Sequence, residues 1–259
     1  MEYISTRNIE KTFLFKDVFL KGLAPDGGLF VPKIIPSFAL EELKKLKNVS
    51  YNELATKIIL KFCSDEFDEK ALRNLIESSY RNFRTKDVVE IKKIGKINLL
   101  ELFHGPTLAF KDIAMQVIGN MYEKILKKNN LKVSVVVATS GDTGAAAISA
   151  IRDRENMKIF VLHPDNKISE IQRKFMTTVN SSNVFNIAVA SNFDECQKFV
   201  KLMFADKDFS SSINMTGVNS INWSRIIPQI VYYFFSYFFY FLLHLLLRRP
   251  YLQKLLPQY

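Results

Sequence analysis

Lys132-Val-Ser-Val-Val-Val-Ala-Thr-Ser-Gly-Asp-Thr-Gly144 is the stretch that decides the fold. Its first half is a β-branched run with no polar alternation, which suits a parallel strand covered on both faces. Its second half breaks into glycine and small hydroxyl residues, after which Ala145 to Arg152 reads as a helix. A buried strand that turns into a helix points free backbone N–H groups and the positive end of the helix dipole into the crevice at the strand's carboxyl end. Gly141 and Gly144 allow close approach to that backbone, while Ser140 and Thr143 add hydroxyl donors. The turn is either a site for a carboxylate or phosphate or simply a tight corner.

Working outward, strands and helices alternate. Asn98 to Leu102 reads as a short strand, and Asp112 to Lys128 as a helix with Ala114, Val117, Ile118, Met121 and Ile125 on one face. Beyond the turn come a strand from Lys158 to Leu162, a helix from Ser169 to Val179, a strand from Val184 to Val189 and a helix from Phe193 to Phe204. This spacing predicts βαβ units, and hence an α/β fold with a parallel sheet and flanking helices. The first 36 residues read as extended pieces and loops. Helices then follow from a Ser37 cap to Lys47, from Tyr51 to Cys63 and from Glu69 to Tyr80. The expected organisation is a helical N-terminal domain over 1–86, an α/β domain over 87–237 and an atypical tail over 238–259.

Composition bounds the partners. The chain has 259 residues, 48% of them hydrophobic and 24% charged, a globular balance with room for a substantial core. The net charge of +10 comes from lysines spread over helical faces such as 41–47 and 123–128, without a nucleic-acid motif. A solvated basic surface is expected, and no nucleic-acid partner. Cys63 and Cys196 stand far apart, so neither a disulfide framework nor a cysteine metal site is expected. The N-terminus lacks a signal pattern, which points to the cytoplasm. Three histidines and scattered carboxylates suggest no metal centre.

The second telling stretch is His104-Gly-Pro-Thr-Leu-Ala-Phe-Lys-Asp112. Lys111 follows Leu108, Ala109 and Phe110, and an amine held against apolar neighbours loses hydration, which disfavours its charged form. That is one route to a lysine able to form a Schiff base with a carbonyl; the plain alternative is a lysine reaching for solvent. His104 is either a substrate contact or a loop imidazole bonded to backbone. Asp112 reads as the start of the next helix. A reactive-lysine loop followed by a strand and an anion-binding turn is what a pyridoxal phosphate enzyme needs.

Six blocks in one order resemble threonine synthase. They are Glu2-Tyr-Ile-Ser-Thr-Arg7, Gly22-Leu-Ala-Pro-Asp-Gly-Gly-Leu-Phe-Val-Pro32, Phe103 to Asp112, Ala138 to Gly144, Pro164-Asp-Asn-Lys-Ile-Ser169 with Gln172, and Val218-Asn-Ser-Ile-Asn-Trp223. The resemblance implies a fold-type-II pyridoxal phosphate enzyme, like the tryptophan synthase β chain. It implies a lyase of threonine biosynthesis that converts O-phospho-L-homoserine and water to L-threonine and phosphate, as a monomer or homodimer. Lys111 would carry the cofactor and move protons. Asp142 would lie near the cofactor's ring hydroxyl, or cap its helix, or both. Ser140, Gly141 and Thr143 would bind the substrate's α-carboxylate. Asn219, Asn222 and Arg225 would line the substrate-phosphate pocket, unless they are merely a polar loop before a helix. An amino-acid dehydratase of the same fold type is the alternative enzyme.

The pattern breaks near residue 237. In the resembled family a glycine-rich turn that cradles the cofactor phosphate comes later, but here no glycine follows Gly217. Weak cofactor binding and an incomplete sheet are expected. Ile230 to Leu247 carries no formal charge, and an 18-residue helix would span about 27 Å, close to a bilayer core. Three readings follow: a threonine synthase truncated or frameshifted after about residue 237, a membrane-tethered protein, or a catalytically inactive binding module.

Overall fold

The computed structural model describes residues 1–218 and 222–247, with 241–247 given as helix backbone. At its N-terminus β1 (Tyr3–Ser5) lies between β2 (Thr12–Phe13) and β3 (Phe30–Pro32), antiparallel to both. Between β2 and β3 runs α1 (Phe15–Lys21), where only extended chain and loops were expected. Its signal is short, with Phe15, Val18 and Phe19 as its buried face. Its first N–H is satisfied from far away, because Asp65 Oδ2 accepts from the Phe15 backbone at 2.9 Å. A helix capped across fifty positions leaves no local start signal.

Three more helices complete this layer: α2 (Leu40–Leu46), α3 (Tyr51–Cys63) and α4 (Glu69–Tyr80). Ser50 and Asp68 cap α3 and α4 by accepting from the N–H groups of Glu53 and Ala71. Ser37 does not cap α2. Its carbonyl instead accepts from the Lys61 ammonium at 3.1 Å, while Glu42 Oε2 receives the Ala39 N–H at 2.8 Å.

The strand expected at 98–102 is real but belongs elsewhere. β5 (Ile97–Glu101) pairs with β4 (Glu90–Ile94) in an antiparallel hairpin outside the main sheet. The main sheet runs β8-β7-β6-β9, built from β6 (Val133–Ala138), β7 (Met157–Pro164), β8 (Val184–Val189) and β9 (Met215–Thr216). Every pair in it is parallel, with Val135 opposite Ile159 and Val137 opposite Val161. Helices α5 (Lys111–Asn129), α6 (Asp142–Ile151), α7 (Glu170–Thr177), α8 (Phe193–Ala205) and α9 (Lys207–Ser212) connect it. Helices α5 and α6 approach closely: a Cβ at Gly119 would lie 2.5 Å from the Ala150 carbonyl oxygen. On α8, Cys196 packs with Val136 and Leu162 in a small separate core.

The last element, α10, runs from Trp223 to Leu247. Pro228 lies inside it and withholds the N–H that would bond the Ser224 carbonyl. One face of the aromatic stretch packs inward, with Phe235 5.5 Å from Tyr51 and Phe234 5.3 Å from Phe38, ring centre to ring centre, while Tyr233 and Tyr237 project to solvent. Val231, Tyr232 and Phe238 are buried in the same core that contains Tyr3, Ile58, Ile118 and Ala146. Among the described residues no helix is long and apolar enough to cross a membrane, so the bilayer reading of 230–247 finds no support there.

Candidate active site

Lys111 is the first residue of α5, preceded by Phe110 at the N-cap. The loop that delivers it is stapled by Asp112, whose fully buried carboxylate accepts from the Thr107 N–H at 2.8 Å and the Thr107 hydroxyl at 2.7 Å. Only glycine fits opposite this staple, since a Cβ at Gly105 would lie 2.4 Å from the Asp112 Cβ. Leu108 takes a left-handed φ of 61° inside the same turn. Burial raises the Asp112 carboxyl above its ordinary range, against the opposing pull of the bonds from Thr107 and Ala109.

The Lys111 ammonium has apolar neighbours and a carboxylate as well. It lies 4.4 Å from the centre of the Phe110 ring, but Asp142 Oδ2 is 3.2 Å from its Nζ. That carboxylate is held from the other side by Gln172, whose Nε2 donates to Asp142 Oδ1 at 2.5 Å. Ser169 caps α7 and touches Gln172 Oε1 at 3.0 Å. Gly141 makes this possible. Its φ is 139°, and a Cβ there would lie 2.5 Å from Gln172 Cδ and Oε1. Asp142 is thus paired to a lysine and an amide as well as opening α6, which sequence alone left open.

In the turn at 139–144 the Thr139 hydroxyl accepts from the N–H groups of both Gly141 and Gly144 at 3.0 Å. The first turn of α6 leaves the Asp142 and Thr143 N–H groups without intrahelical carbonyls. Thr143 lines a cavity of about 660 Å³, whose walls also include Phe110, Lys111, Val137 and Ala138. Ser140 and Gly141 lie outside that lining, and Ser140 is exposed. The volume falls within the roughly 300–1,000 Å³ typical of small-molecule sites.

The cavity's far wall comes from α1, α8 and the start of α10. Thr216 on β9 ties α1 to α5, sharing a hydrogen bond with the Tyr122 hydroxyl at 2.9 Å and donating to the Leu20 carbonyl at 2.8 Å. Arg225 lines the cavity yet is only 2% exposed; its Nη1 donates to the Val218 carbonyl at 3.2 Å and its Nε has no partner. It sits within α10 rather than in a loop, and burial lowers the pKa of its guanidinium. Asn222 is buried outside the lining, with its Oδ1 accepting from the Ser224 N–H at 2.9 Å and hydroxyl at 2.7 Å. Asn219 lies outside the described residues.

His104 bonds a carboxylate, not backbone: its Nε2 is 3.1 Å from Glu101 Oε2. The hairpin brings Glu90 into the same group, with ligand atoms of all three within 4.8 Å. Carboxylates that look scattered in sequence therefore do converge, because β4–β5 pairing sets Glu90 opposite Glu101. Glu90 is already bonded by the Lys92 ammonium and Glu101 by His104.

A parallel sheet with flanking helices, with a lysine at one helix N-terminus beside the strand–turn–helix of β6 and α6, is the arrangement of fold-type-II pyridoxal phosphate enzymes. Comparison with known proteins narrows this further. Residues 2–80 match the family model described as threonine synthase N terminus. The chain is 45% identical over 235 residues to the threonine synthase of Pseudomonas aeruginosa, covering 90% of this chain and 50% of that protein. The crystal structure of pyridoxal phosphate-bound threonine synthase from Brucella melitensis superposes with a TM-score of 0.87 at 41% identity, over 92% of this chain and 52% of that one. Yeast threonine synthase gives 0.85 at 42% identity, over 92% and 49%. Over these residues the chain is a relative of the threonine synthases, and it spans about half the length of the curated relatives it matches.

Proposed function

We propose that this chain supplies the lysine and carboxylate-binding side of a threonine synthase site, acting on O-phospho-L-homoserine with pyridoxal 5'-phosphate. The observation that carries this reading is the Lys111–Asp142–Gln172 chain at the mouth of a cavity next to the turn. The residues present fit the cofactor: an amine opens onto a cavity large enough for a pyridine ring, against the apolar surfaces of Phe110, Val137 and Ala138. Lys111 would hold its aldehyde and Asp142 would lie by its ring hydroxyl. When bound, the cofactor supplies an electron sink for carbanion chemistry.

The chain's own residues do the rest. Asp142, fixed by Gln172, orients the Lys111 amine, which takes the Cα proton and returns protons as the γ-phosphate leaves and water adds at Cβ. Thr143 and the first-turn N–H groups of α6 bind the α-carboxylate, with Ser140 and Gly141 shaping the turn. Arg225 faces the phosphate end, and Asn222 serves it by capping α10; Asn219 belongs to the same segment. The organisation into units 1–86, 87–237 and 238–259, a cytoplasmic location and a monomeric or homodimeric state go with this reading.

The test is a titration of purified protein with pyridoxal phosphate, followed by absorbance and by phosphate release from O-phospho-L-homoserine. A saturable absorbance band abolished by Lys111→Ala supports the reading. A band that survives that substitution refutes Lys111 as the cofactor's anchor.

A further inference from the structure

The β4–β5 hairpin carries a pairing that strand packing does not favour. Glu90 and Glu101 stand directly opposite each other across it, so two carboxylates share one face. Like charges placed directly opposite weaken an antiparallel pair, and a cation between them reverses that effect. His104, three residues past Glu101, turns its Nε2 back to Glu101 Oε2 at 3.1 Å. One ligand atom from each of these three residues lies within 4.8 Å of the other two. Two carboxylate oxygens and an imidazole nitrogen are a donor set for a borderline divalent cation such as zinc.

The geometry suits that use. Ligand atoms about 2.1 Å from an ion, at the angles of a tetrahedral or octahedral shell, lie about 3.0–3.4 Å from each other. The Glu101–His104 separation falls in that range. These two side chains are 16% and 13% exposed, while Glu90 is 36% exposed, so an ion enters from the Glu90 side onto two preset ligands. The backbone of His104 is fixed too, because its carbonyl accepts from the Arg84 N–H at 2.9 Å. A cation is already drawn to the carboxylates: the Lys92 ammonium bonds Glu90, and its charge reaches Glu101 as well. Half exposed, that side chain is free to swing away when a stronger cation arrives.

We infer that Glu90, Glu101 and His104 bind one divalent cation of the zinc class, with water completing its shell. None of the three lines the cavity beside Lys111, so the ion takes no part in the chemistry proposed there. Its place is the root of the 104–112 loop, at the end opposite the Asp112 staple. An ion at that point fixes the His104 side chain, and with it the direction in which the loop leaves the hairpin.

The experiment is a calorimetric titration of the full chain, stripped with a chelator, with zinc chloride. One ion should bind per chain. Glu101→Gln, Glu90→Gln and His104→Ala should each weaken binding about tenfold or more, the loss expected when a ligand goes. Glu101→Gln and Glu90→Gln change one atom each and keep the side-chain shape, so they carry the test if His104→Ala disturbs the loop, which circular dichroism checks. Lys92→Ala should tighten binding about fivefold, the scale of one competing charge at close range in water; weaker binding in that variant would count against the site. Glu41→Gln, an exposed carboxylate on α2, should stay within about twofold. No saturable binding, or equal losses at Glu41 and Glu101, would overturn the inference. Cobalt in place of zinc gives a second readout: a spectrum with thiolate charge-transfer intensity would put the ion at a cysteine and overturn it as well. The titration needs no pyridoxal phosphate, so its failure leaves the proposed function untouched.

Discussion

Asp112 offers the sharpest test of how the Lys111 loop is held. Both of its oxygens are spent on Thr107, one on the N–H and one on the hydroxyl, and the group is wholly buried. Asp112→Ala strands both donors, and each buried unsatisfied donor costs about 1–3 kcal/mol, so the variant should lose about 2–6 kcal/mol. Asp112→Asn should behave differently. Its Oδ1 can accept the Thr107 N–H, and the hydroxyl can turn to accept from its amide, so both contacts survive without a buried charge. Its loss should stay near 1 kcal/mol, roughly the favourable interaction a charge gains at a helix N-terminus. The pH dependence follows from the raised carboxyl. Between the unfolded and folded pKa the native state holds the proton and the unfolded state does not. The favourable contribution is therefore fully present below the unfolded pKa and is lost as pH rises through the folded one. Wild type should lose ground to Asp112→Asn over that window, measured by urea melts at a series of pH values. If Asp112→Asn loses as much as Asp112→Ala at neutral pH, the negative charge itself holds the loop and the hydrogen-bond reasoning is wrong.

Three further outcomes can be checked together. Gly141→Ala should destabilise by more than about 1–3 kcal/mol, the cost of its φ alone, because the new Cβ also strikes Gln172. Adding Gln172→Ala should recover part of that loss, and a strictly additive double variant would argue against the contact. Phe238→Ala should cost about 3 kcal/mol in thermal or urea melts, as for a buried phenylalanine, whereas Tyr233→Ala, 67% exposed, should be near neutral. Similar values at both sites would mean that the aromatic stretch is not seated in the core. Cys63 and Cys196 should resist a thiol reagent until urea unfolds the chain, since burial excludes the reagent and raises both thiols. Fast labelling of the native protein would contradict the burial.

Much of this architecture is legible in the residues. The β-branched run at 133–138 announces its strand locally, and the helices that follow Ser50, Asp68 and Ser169 start where periodicity places them, whereas the expected Ser37 cap is not one. What escapes reading depends on distant partners. Helix α1 relies on Asp65 for its first N–H, and the short α9 and two-residue β9 carry too few residues for a period. The site shows the same division. Lys111 and the glycine turn stand out because glycine and proline punctuate them. The Asp142–Gln172 bond joins positions thirty residues apart, and Gln172 was visible only as part of a resemblance block. The apolar surroundings expected for Lys111 were inferred from its neighbours in sequence, whereas its nearest charged neighbour comes from the next helix. Lys201 and Gln197 look like any solvated pair on a lysine-rich helix until the fold turns them onto a cavity.

Helix α10 joins two things that a map of the chain would separate. Its Arg225 borders the cavity, while about two to four turns later Val231, Tyr232 and Phe238 sit in the hydrophobic cluster with Tyr3 and Ile58. The cavity wall therefore has no melting transition of its own. Amide protons around Arg225 should exchange with solvent only when the N-terminal helices open as well, so the first eighty residues, which also line the cavity through Lys21, Gly22 and Leu23, act as a clamp on the precision of the site.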